Sequence, residues 1–353
     1  MYKFKLVFIK IKNLIIPFSI CLFTIFLVVF SKNNLYAAKS GIYLWANSVL
    51  PSLLPFFMAT ELLGYTDIVP ILGKILNKIM KPLFNVPGEG AFALIMGIIS
   101  GYPVGAKIVA HLKEQGVCSD VECERLIAFT SNSGPLFIIG TVGVGLFSDV
   151  KIGMFLFISH ILACLSVGII FRWWKIKQEN CYFSKSNRFK LSSKILLPRS
   201  STYNKETICF SNLGEILSKS IINAINSVIT IGGFVVLFSV IISILENSYI
   251  LTLIKELLEP ILNLIGISDI YCNGFITGII EVTNGLQTIA SLNANNYLVQ
   301  LLICSFLLGF GGFSVLLQVL SITSKANISI KPYFLGKVLQ AIFSCIYIKL
   351  LIS

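Results

Sequence analysis

Residues Gly90–Ala110 read GAFALIMGIISGYPVGAKIVA, and residues Leu126–Phe147 read LIAFTSNSGPLFIIGTVGVGLF. Both are apolar enough for a membrane, and both are interrupted midway. In Ser100-Gly101-Tyr102-Pro103-Val104-Gly105-Ala106-Lys107, two glycines and a proline disrupt the helical ladder. In Thr130-Ser131-Asn132-Ser133-Gly134-Pro135, Pro135 lacks an N–H and disfavours helix at Gly134. Lipid cannot replace those hydrogen bonds, so broken backbone at membrane depth survives only against protein or around a polar cavity. The second half carries a matching pair, Asn273–Ala290 (NGFITGIIEVTNGLQTIA) and Leu301–Ile322 (LLICSFLLGFGGFSVLLQVLSI). Matched breaks in two halves of a chain point to the binding site of a secondary transporter.

Composition agrees. The 353 residues are 56% hydrophobic and 12% charged, about half the charge of a soluble domain. Spans of roughly 20 residues are expected at Leu14–Phe30, Leu44–Leu63, Ile152–Trp174, Ile221–Leu245 and Phe334–Ile352. The broken segments 126–147 and 297–321 are long enough to cross, whereas 90–110 and 271–290 are expected to dip in and return. The first run, behind Lys3, Lys5, Lys10 and Lys12, reads as an uncleaved span rather than a signal peptide ending at Tyr36-Ala37-Ala38. The nine cysteines are scattered; Cys118 and Cys123 form the only close pair, a weak metal signal, so packing roles without a disulfide framework or bound metal are expected.

The net charge of +12 reads as a topology signal. The N-terminal lysines and the tract 175–215, with Lys175, Lys177, Lys185, Arg188, Lys190, Lys194, Arg199 and Lys205, belong in the cytoplasm under the positive-inside rule. Nucleic acid is not an expected partner. The chain divides into an anchor-like segment 1–40, a first repeat 41–174, the basic linker 175–215 and a second repeat 216–353. Each repeat orders a span, an amphipathic stretch (Ile68–Phe84, Ile250–Ile265), a re-entrant candidate, a broken span and a closing span. Pro82 and Pro260 are expected to stop the amphipathic stretches. Threading the spans from a cytoplasmic N-terminus makes the two repeats enter from opposite sides. The expected fold is an all-α polytopic membrane protein with an inverted repeat of spans, re-entrant hairpins and broken helices.

The candidate substrate-binding residues are those at the breaks: Ser100, Tyr102, Lys107, Thr130, Asn132, Ser133, Gly134, Thr283, Asn284, Gly311 and Gly312. A half-helix beginning near Pro135 would aim its positive end at the centre, a site for an anion. The glycines admit another reading, tight helix packing. Glu281, in a nearly uncharged stretch, is a candidate for a coupling ion or proton, or for a helix cap. Lys107 can meet an acid or snorkel to the interface. His160 lies in a clean span and reads as a packed or helix-bonding residue. No P-loop, dinucleotide fingerprint or HExxH motif occurs, so no enzymatic activity and no cofactor are expected.

At Leu50-Pro51-Ser52-Leu53-Leu54-Pro55-Phe56-Phe57, Pro82–Gly88, Ile99–Lys107 and Asn132–Gly143 the chain resembles the YlbJ-type sporulation integral membrane proteins. The resemblance covers roughly residues 40–350. That family belongs to the nucleoside-recognition Gate group and is distantly similar to concentrative nucleoside transporters. The resemblance implies a multi-pass protein of the outer forespore membrane of a sporulating Gram-positive bacterium, moving dipicolinate towards the spore. Its implied partners are a small-molecule substrate, membrane lipid and a second copy in a homo-oligomer. Nucleoside transport, and a non-transporting scaffold for the spore envelope, are the alternatives the residues leave open.

Overall fold

A computed structural model describes residues 2–176, 209, 211–264, 266–292 and 297–352; most of the basic linker, residues 177–208, lies outside them. The described residues form fifteen α-helices and two π-helical stretches. Among them four helical spans are long and apolar enough to cross a membrane: Val150–Phe171, Leu213–Asn247, Tyr297–Lys325 and Lys331–Ile352. The chain is an all-α polytopic membrane protein.

Helix α1 (Tyr2–Val29) carries the first apolar run. It does not pair with the next span as an antiparallel neighbour: the chain turns through 99° at Phe30 into α2 (Ser31–Leu44). The segment expected as Leu44–Leu63 is therefore the later part of a helical run that begins at Ser31. A π-helical stretch, Trp45–Val49, joins α2 to α3 (Leu50–Gly64). It precedes Pro51, whose missing N–H cannot complete an α ladder.

The amphipathic helix α4 (Ile68–Phe84) follows. Pro82 is accommodated within it, and the helix stops at Asn85, which is left-handed (φ 54°). Short helices come next: α5 (Gly90–Ser100), α6 (Val104–Glu114) and α7 (Asp120–Thr130). Ser119 and Glu122 cap α7 reciprocally, the arrangement that an S-x-x-E sequence encodes. A π-helix (Leu136–Leu146) and α8 (Val150–Phe171) complete the first half.

The second half repeats the order. Helix α9 (Leu213–Asn247) precedes α10 (Ile250–Leu264), which contains Pro260 and ends before Gly266 (φ 85°). Then come α11 (Asp269–Ile280), α12 (Val282–Ala290), α13 (Tyr297–Phe310), α14 (Gly312–Lys325) and α15 (Lys331–Ile352).

Helices α5 and α6 have 11 residues each. At 1.5 Å per residue each reaches about 16 Å, half of a hydrocarbon core of about 30 Å. They fold back as a hairpin. A Cβ on Gly97 would stand 3.3 Å from the Gly105 Cα, and one on either glycine would collide with the Thr130 carbonyl. Helices α11 and α12 repeat the device, since a Cβ on Gly285 would run into the backbone of Gly278. Helix α15 packs against α7, α8 and α13, joining the broken span of each half.

A candidate binding cavity at four helix breaks

The four interruptions converge. The first lies at Gly101–Pro103, the second at Ser131–Pro135, the third at Glu281 and the fourth at Gly311–Gly312. A Cβ on Gly101 would stand 2.9 Å from the Gly134 nitrogen, which joins the first break to the second. The Tyr102 hydroxyl donates to the Leu308 carbonyl at 3.0 Å. A Cβ on Gly311 would lie 2.9 Å from that same hydroxyl, and one on Gly312 would lie 3.2 Å from the Val282 nitrogen. Gly311 and Gly312 have φ of 83° and 79°, values that only glycine adopts without strain.

A cavity of about 330 Å³ opens at this meeting point, within the size range of small-molecule sites. Its polar wall holds Ser100, Tyr102, Ser133, Glu281, Thr283, Ser314 and Gln318, with the backbone of Gly101 and Gly134. Phe56, Phe137, Ile231 and Val235 contribute to the apolar wall. The lining therefore draws on both halves of the chain.

Glu281 is buried, with 6% of its surface exposed. It is extended (φ −142°, ψ 116°), so it closes α11 and opens α12. Its Oε2 accepts the Asn284 N–H at 2.8 Å. The carboxylate thus caps the positive end of a half-helix while facing the cavity. Among the described residues no lysine or arginine pairs with it.

Of the residues singled out in the sequence, Ser100, Tyr102, Ser133, Gly134, Thr283 and Glu281 line the cavity. Asn132 stands behind the break instead. Its Nδ2 closes the end of α7 by donating to the Phe129 carbonyl at 2.9 Å, and its Oδ1 accepts from Gln340 Nε2 at 2.9 Å. Thr130 is buried with its hydroxyl unpartnered. Asn284 contributes its backbone N–H, and Gly311 and Gly312 shape the break behind Tyr102.

Lys107 lies in a separate cavity of about 640 Å³, with Tyr65, His111, Asn223 and Lys325 on its walls. Its ammonium meets the Glu61 carboxylate and donates to Ser227 Oγ at 3.0 Å. Asn223 donates to the other oxygen of Glu61 at 3.2 Å. Thr60 lines this outer cavity and Ser100 lines the inner one, with their hydroxyl oxygens 3.5 Å apart. The two cavities are neighbours across that pair.

The Gate family profile, described as "Nucleoside recognition", matches residues 46–172 and 228–326, and so takes in all four breaks. The chain belongs to the nucleoside-recognition Gate family. This Gate protein is also 34% identical over 342 residues to the sporulation integral membrane protein YlbJ of Bacillus subtilis (strain 168). The alignment covers 97% of the present chain and 83% of that relative. No solved structure matches it.

Sequence reasoning passed over a second polar cluster. His160 bonds to neighbouring elements: its Nε2 lies 3.3 Å from the Ser133 backbone nitrogen and 3.3 Å from Gln340 Nε2. Gln340 Oε1 in turn accepts from Lys337 Nζ at 2.8 Å. The signal was present, because Lys337 is an ionisable residue inside the expected span Phe334–Ile352, and such residues mark function by default. Arg125 was also overlooked. It is buried and donates to the carbonyls of Asn85 (2.9 Å) and Trp174 (2.8 Å), which gives this Gate protein a structural clamp on two helix ends.

Proposed function

We propose that this protein is an alternating-access transporter that moves dipicolinate across the outer forespore membrane during endospore formation. The observation that carries the reading is the convergence of four helix breaks, two from each half, at one cavity. Irregular backbone is tolerated at membrane depth where it lines such a cavity. The two repeats, entering from opposite sides, would rock around this point. The sporulation context comes from the similarity to YlbJ, a sporulation integral membrane protein.

The cavity chemistry suits a small planar acid. Hydroxyls of Ser100, Ser133 and Ser314 offer donors to carboxylates, and Phe56 and Phe137 offer faces for a ring. Glu281 gives a physical basis for coupling. A dianion and a carboxylate in one small cavity repel unless a proton or cation neutralises the carboxylate at the same time. Substrate and coupling ion would therefore load together.

The deciding experiment measures dipicolinate in the mother-cell and spore compartments of sporulating cells with and without the gene. Dipicolinate made but missing from null spores, restored by wild type and not by Glu281→Gln, supports transport. Normal spore dipicolinate in the null strain removes the substrate assignment. A nucleoside is the second reading, favoured by the family's description and by the hydroxyl-rich lining. Competition of dipicolinate uptake by uridine separates the two.

A further inference from the structure

Lys337 is 1% exposed, and its nitrogen lies 5.0 Å from the Tyr102 ring centroid and 5.8 Å from that of Tyr333. Its only hydrogen-bond partner among the described residues is the neutral Gln340. Among those residues it enters no ion pair. The contrast with Arg125 is informative, since that buried cation is satisfied by helix-end carbonyls that carry partial negative charge. Lys337 has no such compensation, and an uncompensated charge at membrane depth is costly.

Close to it, the buried hydroxyls of Ser131 and Tyr333 have only each other as neighbours and that of Ser133 has only Tyr102, none in good hydrogen-bond geometry. Poorly satisfied hydroxyl donors beside a lysine with no acid partner among the described residues describe a place prepared for negative charge. Tyr102 connects the two regions: its ring lines the central cavity and also carries the Lys337 ammonium. Ser133 lies on the same boundary, lining the cavity with its backbone N–H directed to His160 in the cluster behind.

We propose that Lys337 supplies the positive charge that makes the central cavity select a carboxylate-bearing compound, acting from behind Tyr102 and Ser133 as a specificity-determining positioning residue. The inference rests on the transport reading only in taking this cavity as the substrate site. It assigns the two charges of the site to different tasks, Glu281 to the coupling ion and Lys337 to the substrate.

The test measures dissociation constants of the purified full-length protein for dipicolinate, its uncharged dimethyl ester and uridine. Wild type is compared with Lys337→Arg and Lys337→Gln, with Lys337→Met as the substitute should the glutamine variant fail to fold. Lys337→Gln is expected to weaken dipicolinate at least tenfold and leave the ester unchanged, while Lys337→Arg keeps the discrimination. Unchanged dipicolinate binding by Lys337→Gln overturns the role of Lys337 and leaves the transport reading standing. Equal weakening of dianion and ester makes the role structural and also overturns the proposal. Wild-type binding of uridine without dipicolinate overturns the anion assignment together with the substrate named above.

Discussion

Glu281 joins two demands in one side chain. It ends α11 in an extended conformation and caps α12 through the Asn284 N–H, so part of its value is structural. It also faces the cavity as an acid with no lysine or arginine partner among the described residues. Glu281→Gln separates the roles, because the amide oxygen can still accept from Asn284 while the charge is lost. Transport is expected to fall to background in proteoliposomes. Loss of a cap altogether costs about 1 kcal/mol, so the detergent-solubilised variant is expected to melt close to wild type. Full transport by Glu281→Gln removes the residue from the mechanism. This residue was legible in the sequence, because an acid in an uncharged stretch stands out. Lys337 was equally visible by that criterion, but the apolar run around it read as a closing span. Asn132 shows what the sequence leaves open. Its place in a polar run marked it as a ligand, yet its side chain turns to Phe129 and Gln340. Composition locates a break, but the direction of each side chain depends on what packs behind it.

The hairpins explain how apolar segments too short to cross remain folded. Their glycines bring backbone against backbone, and the approach of Gly278 and Gly285 mirrors that of Gly97 and Gly105 around Thr130. Gly285→Val should therefore be expensive, since the branched side chain meets main chain that cannot rotate away. Overpacking of this kind costs about 1–3 kcal/mol. The expected outcome is a clear fall in the detergent melting temperature. Gly214, where an added Cβ meets nothing within 4 Å, should accept alanine with little change; equal melting of both variants would refute the close-approach account. Element order was readable from the apolar periods and from the Gly, Pro and Asn interruptions. The end of α4 at Phe84 was readable too, but not its cause. Pro82 looked like the stop, but in the last turn a proline removes only one hydrogen bond, and left-handed Asn85 ends the helix. The turn after α1 was hidden as well, because an apolar run declares its length and says nothing of its angle to the next.

At the scale of the molecule, the inner cavity of about 330 Å³ and the outer one of about 640 Å³ are separated by the Thr60–Ser100 contact. The outer cavity is edged by Lys107, Glu61 and Asn223, which tie α6 to α3 and α9. Alternating access predicts that a cysteine at Ser133, in a variant lacking Cys21, Cys181 and Cys209, reacts with a membrane-impermeant thiol reagent. Labelling is expected from the two membrane faces in different states, with dipicolinate shifting the balance. Labelling from one face only, insensitive to dipicolinate, contradicts alternation. The sequence alone determined that this is a membrane protein, that its two halves share an order of elements, and where each helix breaks. Those properties follow from local chemistry: apolar length, missing amide hydrogens and the conformational range of glycine. Only the tertiary structure decided that the four breaks meet, that Lys107 pairs with Glu61 outside the inner cavity, and that Lys337 stands behind Tyr102. Each of these joins residues 30 or more positions apart, and the packing of α15 against both broken spans, which no local pattern encodes, sets the distances between them.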